Sequence, residues 1–123
     1  MLEMNPGIRA QWTAALRSGE YQQGRAALHA DGMFCCLGVL CDLAVKAGVV
    51  SAAAAREDGY PWAYDGVPDY LPKSVQEWAG LKEGNPLVYG PNAPARDHLA
   101  RLNDDYEDYD FARIADAIDG GAA

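Results

Sequence analysis

The spacing of apolar residues along the chain predicts four amphipathic helices. In residues 6–18 the apolar positions recur at intervals of three and four, which is the pattern of a helix with one apolar face. Residues 71–81 and 95–103 repeat this pattern over shorter lengths, and residues 110–119 repeat it with Asp110 at the N-cap position. Each of these helices therefore presents one apolar face to a common core.

Residues 35–49 form the most apolar stretch of the chain. When they are placed at about 100° per residue, apolar side chains occupy most of the helix circumference, and Asp42 and Lys46 lie on the remaining strip. Gly38 costs this helix about 1 kcal/mol of propensity, which indicates close approach of another backbone. We therefore expect residues 35–49 to form a buried central helix.

A hairpin is predicted just before this helix. Residues 24–30 and 33–36 flank the pair Asp31-Gly32, which favours the positive φ angles of a two-residue turn. In that register His29 faces Phe34 across the ladder. The sequence therefore places a short antiparallel sheet next to the start of the central helix.

The remaining segments are shorter or more irregular. Residues 87–89 are apolar and have the length of a strand, whereas Gly and Pro within residues 51–70 exclude long regular structure there. The run Ala52–Ala55 is compatible with either a helix or a linker. Together these elements predict an α+β fold, with about five helices around a buried central helix and a small antiparallel sheet of two or three short strands. The whole of residues 1–123 is expected to form a single compact domain.

Charge narrows the range of functions. The net charge is −8, and residues 61–123 hold five Lys and Arg against twelve Asp and Glu. An acidic surface repels phosphate, so direct nucleic-acid binding is disfavoured and a partner with a basic surface is favoured. No apolar run reaches the roughly 20 residues of a membrane span, and the first residues lack a secretory signal pattern. We expect no membrane association.

The cysteines indicate a reducing compartment. Cys35, Cys36 and Cys41 are closely spaced and odd in number, which does not fit the disulfide framework of a secreted domain. Neither histidine has a zinc-finger spacing from them, so we expect no metal and no other cofactor. A cytoplasmic location follows from this cysteine usage.

Five strings in the sequence are distinctive in combination: WTAALRSGEYQQG (12–24), FCCLGVLCDL (34–43), YLPKSVQEWAGL (70–81), LARLND (99–104) and FARIADAI (111–118). In this order they resemble a group of small uncharacterised proteins of bacteriophages, prophages and bacterial genomes. The resemblance implies a phage-type origin and a compact cytosolic domain, and it implies no particular reaction. Phage proteins of this size often bind and inhibit a host or defence protein, which is the partner class expected here. The chain departs from the group after LND, where it carries DDYEDYD (104–110) in place of a short turn of small residues.

The first candidate site is a cysteine nucleophile. Cys35 or Cys36 begins the predicted central helix, where unpaired backbone N–H groups stabilise a thiolate. His29 lies diagonally across the hairpin from Cys36, and His98 could approach through the fold. Asp42, on the helix strip shared with Cys35, could orient a neighbouring group. This combination is typical of cysteine hydrolases and transferases. The alternative is that the cysteines are small core side chains, and this alternative is favoured.

The second candidate site is an acidic-aromatic segment that we expect to contact a protein partner. It consists of Asp104, Asp105, Tyr106, Glu107, Asp108, Tyr109 and Asp110. Clustered carboxylates attract a cationic partner, and tyrosines supply the contact area that interfaces favour. Mimicry of a phosphate backbone, calcium binding and a merely solvated connector are the alternatives.

The third candidate site is an aromatic stretch that includes Trp62, Tyr64 and Tyr70. Such a stretch could line a pocket for a small molecule such as a nucleotide, although these side chains more often complete a core. The leading hypothesis from sequence is therefore stoichiometric binding to a host or defence protein. Cysteine catalysis and small-molecule sequestration remain the alternatives.

Overall fold

The computed structural model describes residues 2–52, 63–88 and 97–120. Within these residues the helices are α1 (Pro6–Arg17), α2 (Cys36–Lys46), α3 (Lys73–Ala79), α4 (Leu99–Asp105) and α5 (Phe111–Ile118). The strands are β1 (His29–Ala30), β2 (Met33–Phe34), β3 (Leu87–Val88) and β4 (Asp97–His98). They form two antiparallel pairs, β1 with β2 and β3 with β4. The predicted α+β fold is confirmed, with its strands divided between two small sheets.

Helix α2 is the centre of the core, as its sequence predicts. The side chains from Cys36 to Cys41 and that of Ala44 are buried. Trp12 of α1 is fully buried as well, and its indole N–H donates to the carbonyl of Cys36 over 3.0 Å. This contact joins α1 to the start of α2. Because the indole N–H is hydrogen-bonded, the large side chain is buried without an unsatisfied polar atom.

The hairpin has the predicted register. Asp31 and Gly32 adopt positive φ angles of 54° and 77°, and His29 pairs with Phe34. The first strand is much shorter than predicted, because Ala26 has a φ of 66° that interrupts the extended chain. The expectation of a strand beginning at residue 24 is therefore wrong.

Helix α4 begins later in the chain than predicted. Leu87 and Val88 pair with His98 and Asp97, so residues 97 and 98 belong to a strand and the helix starts at Leu99. It then continues to Asp105, into the acidic-aromatic segment. The predicted helix over 95–103 is thus corrected at both of its ends.

Helices α1 and α5 pack against each other, and α1 also contacts α2. Asn5 caps α1 and Asp110 caps α5, each by accepting a hydrogen bond from a backbone N–H of the first turn. The guanidinium of Arg17, at the end of α1, reaches the carboxylates of Asp116 and Asp119 at 2.8 and 3.0 Å. The N-cap predicted at Asp110 is confirmed.

Helix α3 is shorter than the predicted span of 71–81, since it ends before Gly80, which has a φ of 73°. The predictions for Trp62 and for most of the alanine run fall outside the described residues. Within residues 2–52, 63–88 and 97–120, none of the helices has the length and apolar content needed to cross a membrane.

Candidate functional site

The acidic-aromatic segment is fixed at its first residue. The Oδ1 atom of Asp104 accepts hydrogen bonds from the backbone N–H of Ala26 at 3.0 Å and from Nδ2 of Asn103 at 2.8 Å. The guanidinium of Arg25 donates to the backbone carbonyls of Asn103 and Asp104 at 2.9 and 2.8 Å. Asp104 therefore holds the end of α4 to the loop before the hairpin, and its carboxylate serves the fold.

Asn103 lies at the centre of this attachment and was not among the residues singled out from sequence. Its side chain is fully buried and donates to the carbonyl of Gly24 at 2.8 Å. Its Oδ1 accepts from Nε2 of Gln23 at 3.0 Å and from the backbone N–H of Cys36 at 3.2 Å. One amide thus joins α4, the loop of residues 23–26 and the first turn of α2.

The far end of the segment is fixed by burial. Tyr109 is only 1% exposed and belongs to the core, so the expectation that its side chain contacts a partner is corrected. Its carbonyl accepts from Nε2 of Gln23 at 3.0 Å. Tyr106 is half-buried, packs edge-on against Tyr109 and donates to Oδ2 of Asp97 at 3.3 Å. Burial of an aromatic ring stabilises the folded protein. Both tyrosines therefore anchor the segment to the rest of the fold.

Three carboxylates remain exposed between the fixed ends, namely Asp105, Glu107 and Asp108. We call these three residues the acidic face. Asp108 pairs with Arg113 at 2.7 Å, and Asp105 lies 3.6 Å from Arg101. Exposed ion pairs of this kind contribute little to stability, so the carboxylates remain available to a cationic partner.

A cleft of about 400 Å³ lies beside the acidic face. Asp104 and Asp105 form one side of it. Its lining also includes Cys35, Asp69, Tyr70, Asn85, His98 and Arg101. The volume falls within the range of about 300–1,000 Å³ that is usual for small-molecule pockets.

Asn85 is a further lining residue that sequence reasoning missed. Its Oδ1 accepts from the backbone N–H of Ala100 at 2.9 Å, and the next carbonyl, that of Pro86, accepts from Leu99 at 2.9 Å. These bonds satisfy the first amides of α4. The signal in the sequence was an Asn-Pro pair, but the helix that it caps starts fourteen residues later.

The three thiols are core groups. Cys36 and Cys41 are fully buried, and Cys35 is 4% exposed. Burial raises the pKa of Cys35 to about 11 and raises the pKa values of Cys36 and Cys41 as well. All three are therefore protonated at neutral pH, which confirms the interpretation of the cysteines as core residues.

The thiol contacts are structural too. Cys35 is the N-cap of α2, where its sulfur accepts from the N–H of Gly38 at 3.4 Å, and the sulfur of Cys36 lies 3.7 Å from the carbonyl of Leu99. Because Cys36 is buried and contacts this carbonyl, it is unsuited to act as a nucleophile. Of the three cysteines, Cys35 alone lines the cleft.

The two histidines lie in different surroundings. His29 stacks on Phe34 with 4.3 Å between ring centroids, and burial lowers its pKa, so it is neutral at pH 7. Asp42, which was expected to orient a neighbouring group, accepts a hydrogen bond from the hydroxyl of Tyr21 and pairs with Lys46 at 3.3 Å. His98 is exposed and lines the same cleft as Cys35.

The aromatic stretch does not form one surface. Tyr64 is 2% exposed and packs in the core, so it is not available to a ligand, and the expectation for it is corrected. Tyr70 is 46% exposed and lines the cleft. Trp62 lies outside the described residues. Among the side chains that are described, no group of three or more His, Cys, Asp and Glu is placed to hold a metal ion.

Comparison with known proteins gives a family and no activity. No curated protein and no solved structure shows significant similarity to the chain. Residues 4–121 match a family model described as a domain of unknown function, DUF8296. Because the match covers nearly the whole sequence, the chain belongs to the DUF8296 family.

Proposed function

We propose that the protein acts by stoichiometric binding to a partner protein with a basic surface, and that the acidic face is the contact. One observation carries this proposal. Asp105, Glu107 and Asp108 are exposed on a segment whose two ends are fixed, by Asp104 at one end and by the buried Tyr109 at the other. Three exposed carboxylates thus lie within four positions of a segment that is held at both ends.

Such fixation favours binding for a physical reason. A mobile acidic loop loses conformational entropy when a partner orders it, whereas a segment that is already ordered avoids most of that loss. Repulsion among the carboxylates is relieved when a cationic surface approaches, and complementary charge also raises the association rate. Folding therefore fixes the segment that carries the three carboxylates before a partner binds.

The proposed setting is the cytoplasm of a bacterial host, and the proposed partner is a host or defence protein that is inhibited or modulated. The resemblance to small phage proteins supports this setting. The net charge of −8 supports a basic partner and disfavours direct contact with nucleic acid.

Affinity capture from host lysate tests the proposal. The immobilised protein should retain a basic partner, and the charge reversal Asp105→Lys, Glu107→Lys and Asp108→Lys should abolish that retention. The matched control is the triple reversal Glu20→Lys, Asp65→Lys and Asp119→Lys, which changes the net charge equally on exposed residues away from the acidic face. If the Asp105→Lys, Glu107→Lys and Asp108→Lys variant captures the partner as well as the unaltered protein does, the acidic face is not the contact.

Cysteine chemistry is a second candidate, because the cleft brings Cys35 and His98 to one lining. The raised pKa of Cys35 weighs against it, since the thiolate is the nucleophile. Native-state labelling at neutral pH decides between the two candidates. Rapid reaction of Cys35 that is lost in His98→Ala would favour catalysis, and a thiol that reacts only after unfolding would exclude it.

A further inference from the structure

A second depression in the surface lies away from the acidic-aromatic segment. It has a volume of about 610 Å³ and runs between the chain start at residues 2–5 and the end of α3 with the segment that follows it. The backbone N–H of Leu2 donates to Ile118 at 2.9 Å, and that of Asn5 donates to Ala79 at 2.8 Å. These bonds hold one wall of the groove against α3 and α5, so the groove is part of the folded structure.

The lining of the groove combines apolar with charged side chains. Its apolar residues are Leu2, Met4, Trp78, Leu81, Pro86 and Leu87. Trp78 and Leu2 are only partly buried, so apolar surface faces the groove. The lining also includes four exposed charged residues, which we call the rim, namely Glu3, Glu77, Glu83 and Lys82.

This charge pattern selects the occupant. Apolar side chains that enter the groove would leave water and gain contact with Trp78, while three carboxylates against one ammonium favour positive charge at the rim. A basic amphipathic helix has both features, because its apolar residues recur at intervals of three and four with Lys or Arg beside them. An anionic lipid surface would be repelled by the same rim.

We propose that this groove is a docking site for a basic amphipathic helix of a protein partner. The site is separate from the acidic face and does not depend on the function proposed for that face. The apolar side chains of the groove supply the surface area that is removed from water on binding. The glutamates at the rim fix the sign of the charge that the helix must carry.

The test uses two synthetic peptides with the protein itself. One is a helical 14-residue peptide with Leu on one face and Lys on the other, and the second has Glu in place of each Lys. Fluorescence anisotropy of the labelled peptides measures binding. The Lys peptide should bind and the Glu peptide should bind at least about tenfold more weakly, because the contacts with the three rim glutamates then change from attraction to repulsion.

Two matched variants locate the binding. Glu3→Lys, Glu77→Lys and Glu83→Lys should weaken the Lys peptide about tenfold or more, whereas the control triple Glu20→Lys, Asp65→Lys and Asp119→Lys should change its affinity less than about threefold. All six substituted residues are exposed, so the fold should be retained, which circular dichroism checks. Absence of binding, equal binding of the Glu peptide, or equal weakening by both triple variants would each overturn the groove as a docking site. None of these outcomes bears on partner capture by the acidic face.

Discussion

Gly38 of the central helix lies directly against the backbone of Leu28. A Cβ atom built at Gly38 would stand 1.8 Å from the carbonyl oxygen of Leu28 and 2.7 Å from its carbonyl carbon. The same carbonyl accepts from the N–H of Cys35 at 3.3 Å, which joins the hairpin to the start of α2. A residue with no side chain is therefore required where these two backbones meet.

Replacement of Gly38 should be among the most damaging single changes in the chain. We expect Gly38→Ala to lower the free energy of unfolding by about 3 kcal/mol or more, because backbone atoms cannot move aside as a side chain can. Urea denaturation measures this. Gly7→Ala is the control, since its Cβ meets only Oδ1 of Asn5 at 3.4 Å, and it should change stability by less than about 1 kcal/mol. A tolerated Gly38→Ala would show that the hairpin does not pack on α2 as described.

Asn103 should be the main polar determinant of stability. Removal of its amide in Asn103→Ala would leave the N–H of Cys36 and the carbonyl of Gly24 without this partner inside the core. We expect a loss of roughly 2–4 kcal/mol, since each unsatisfied buried group costs about 1–3 kcal/mol. Thermal unfolding measures the loss, with Asp105→Asn on the same helix as the exposed control. Similar melting temperatures for the two variants would contradict the role given to Asn103.

Two adjacent aspartates should have separable effects. Asp104→Ala should lower stability by about 1–2 kcal/mol, because Ala26 and Asn103 both donate to its carboxylate. Asp105→Ala should change stability by less than about 0.5 kcal/mol, because its side chain is exposed and its ion pair with Arg101 is long, at 3.6 Å. Chemical denaturation of the two variants, measured side by side, provides the comparison. A larger loss from Asp105→Ala would reverse the assignment of the two residues.

The thiols should make stability fall at high pH. Burial raises the pKa of Cys35 in the folded protein from an ordinary 9.0 to about 11, so the unfolded chain releases this proton first as pH rises. The stabilisation is therefore complete below pH 9 and is lost as pH rises through about 11. Urea titrations at pH 8 and pH 10 should show the decrease, and Cys35→Ala should reduce it. A stability that is constant over this interval would show that the thiols are not buried.

Features specified by neighbours in sequence could be predicted. The turn at Asp31-Gly32, the N-cap at Asp110 and the nearly all-apolar helix α2 each follow from a few adjacent residues, and the structure has all three. Gly38 is a related case, because the cost of glycine in a helix indicated close packing although it could not identify Leu28 as the neighbour.

Features that depend on distant residues could not be predicted. Asn103 and Gly24 are 79 positions apart, so nothing near either residue indicates their hydrogen bond. Ala26, which donates to Asp104 of the same network, has a positive φ that interrupts the strand predicted from residue 24. Within the acidic-aromatic segment, Asp104 is hydrogen-bonded to the rest of the fold and Asp105 faces solvent. The composition of the segment could not distinguish the two residues.

The dissociation constant of the captured complex tests the binding function most directly. Isothermal titration calorimetry should compare the protein with the triple variant Asp105→Lys, Glu107→Lys and Asp108→Lys at low and physiological salt. We expect the variant to bind at least about tenfold more weakly, and binding of the unaltered protein to weaken as salt screens the carboxylates. An unchanged dissociation constant in the variant at both salt concentrations would contradict binding through the acidic face.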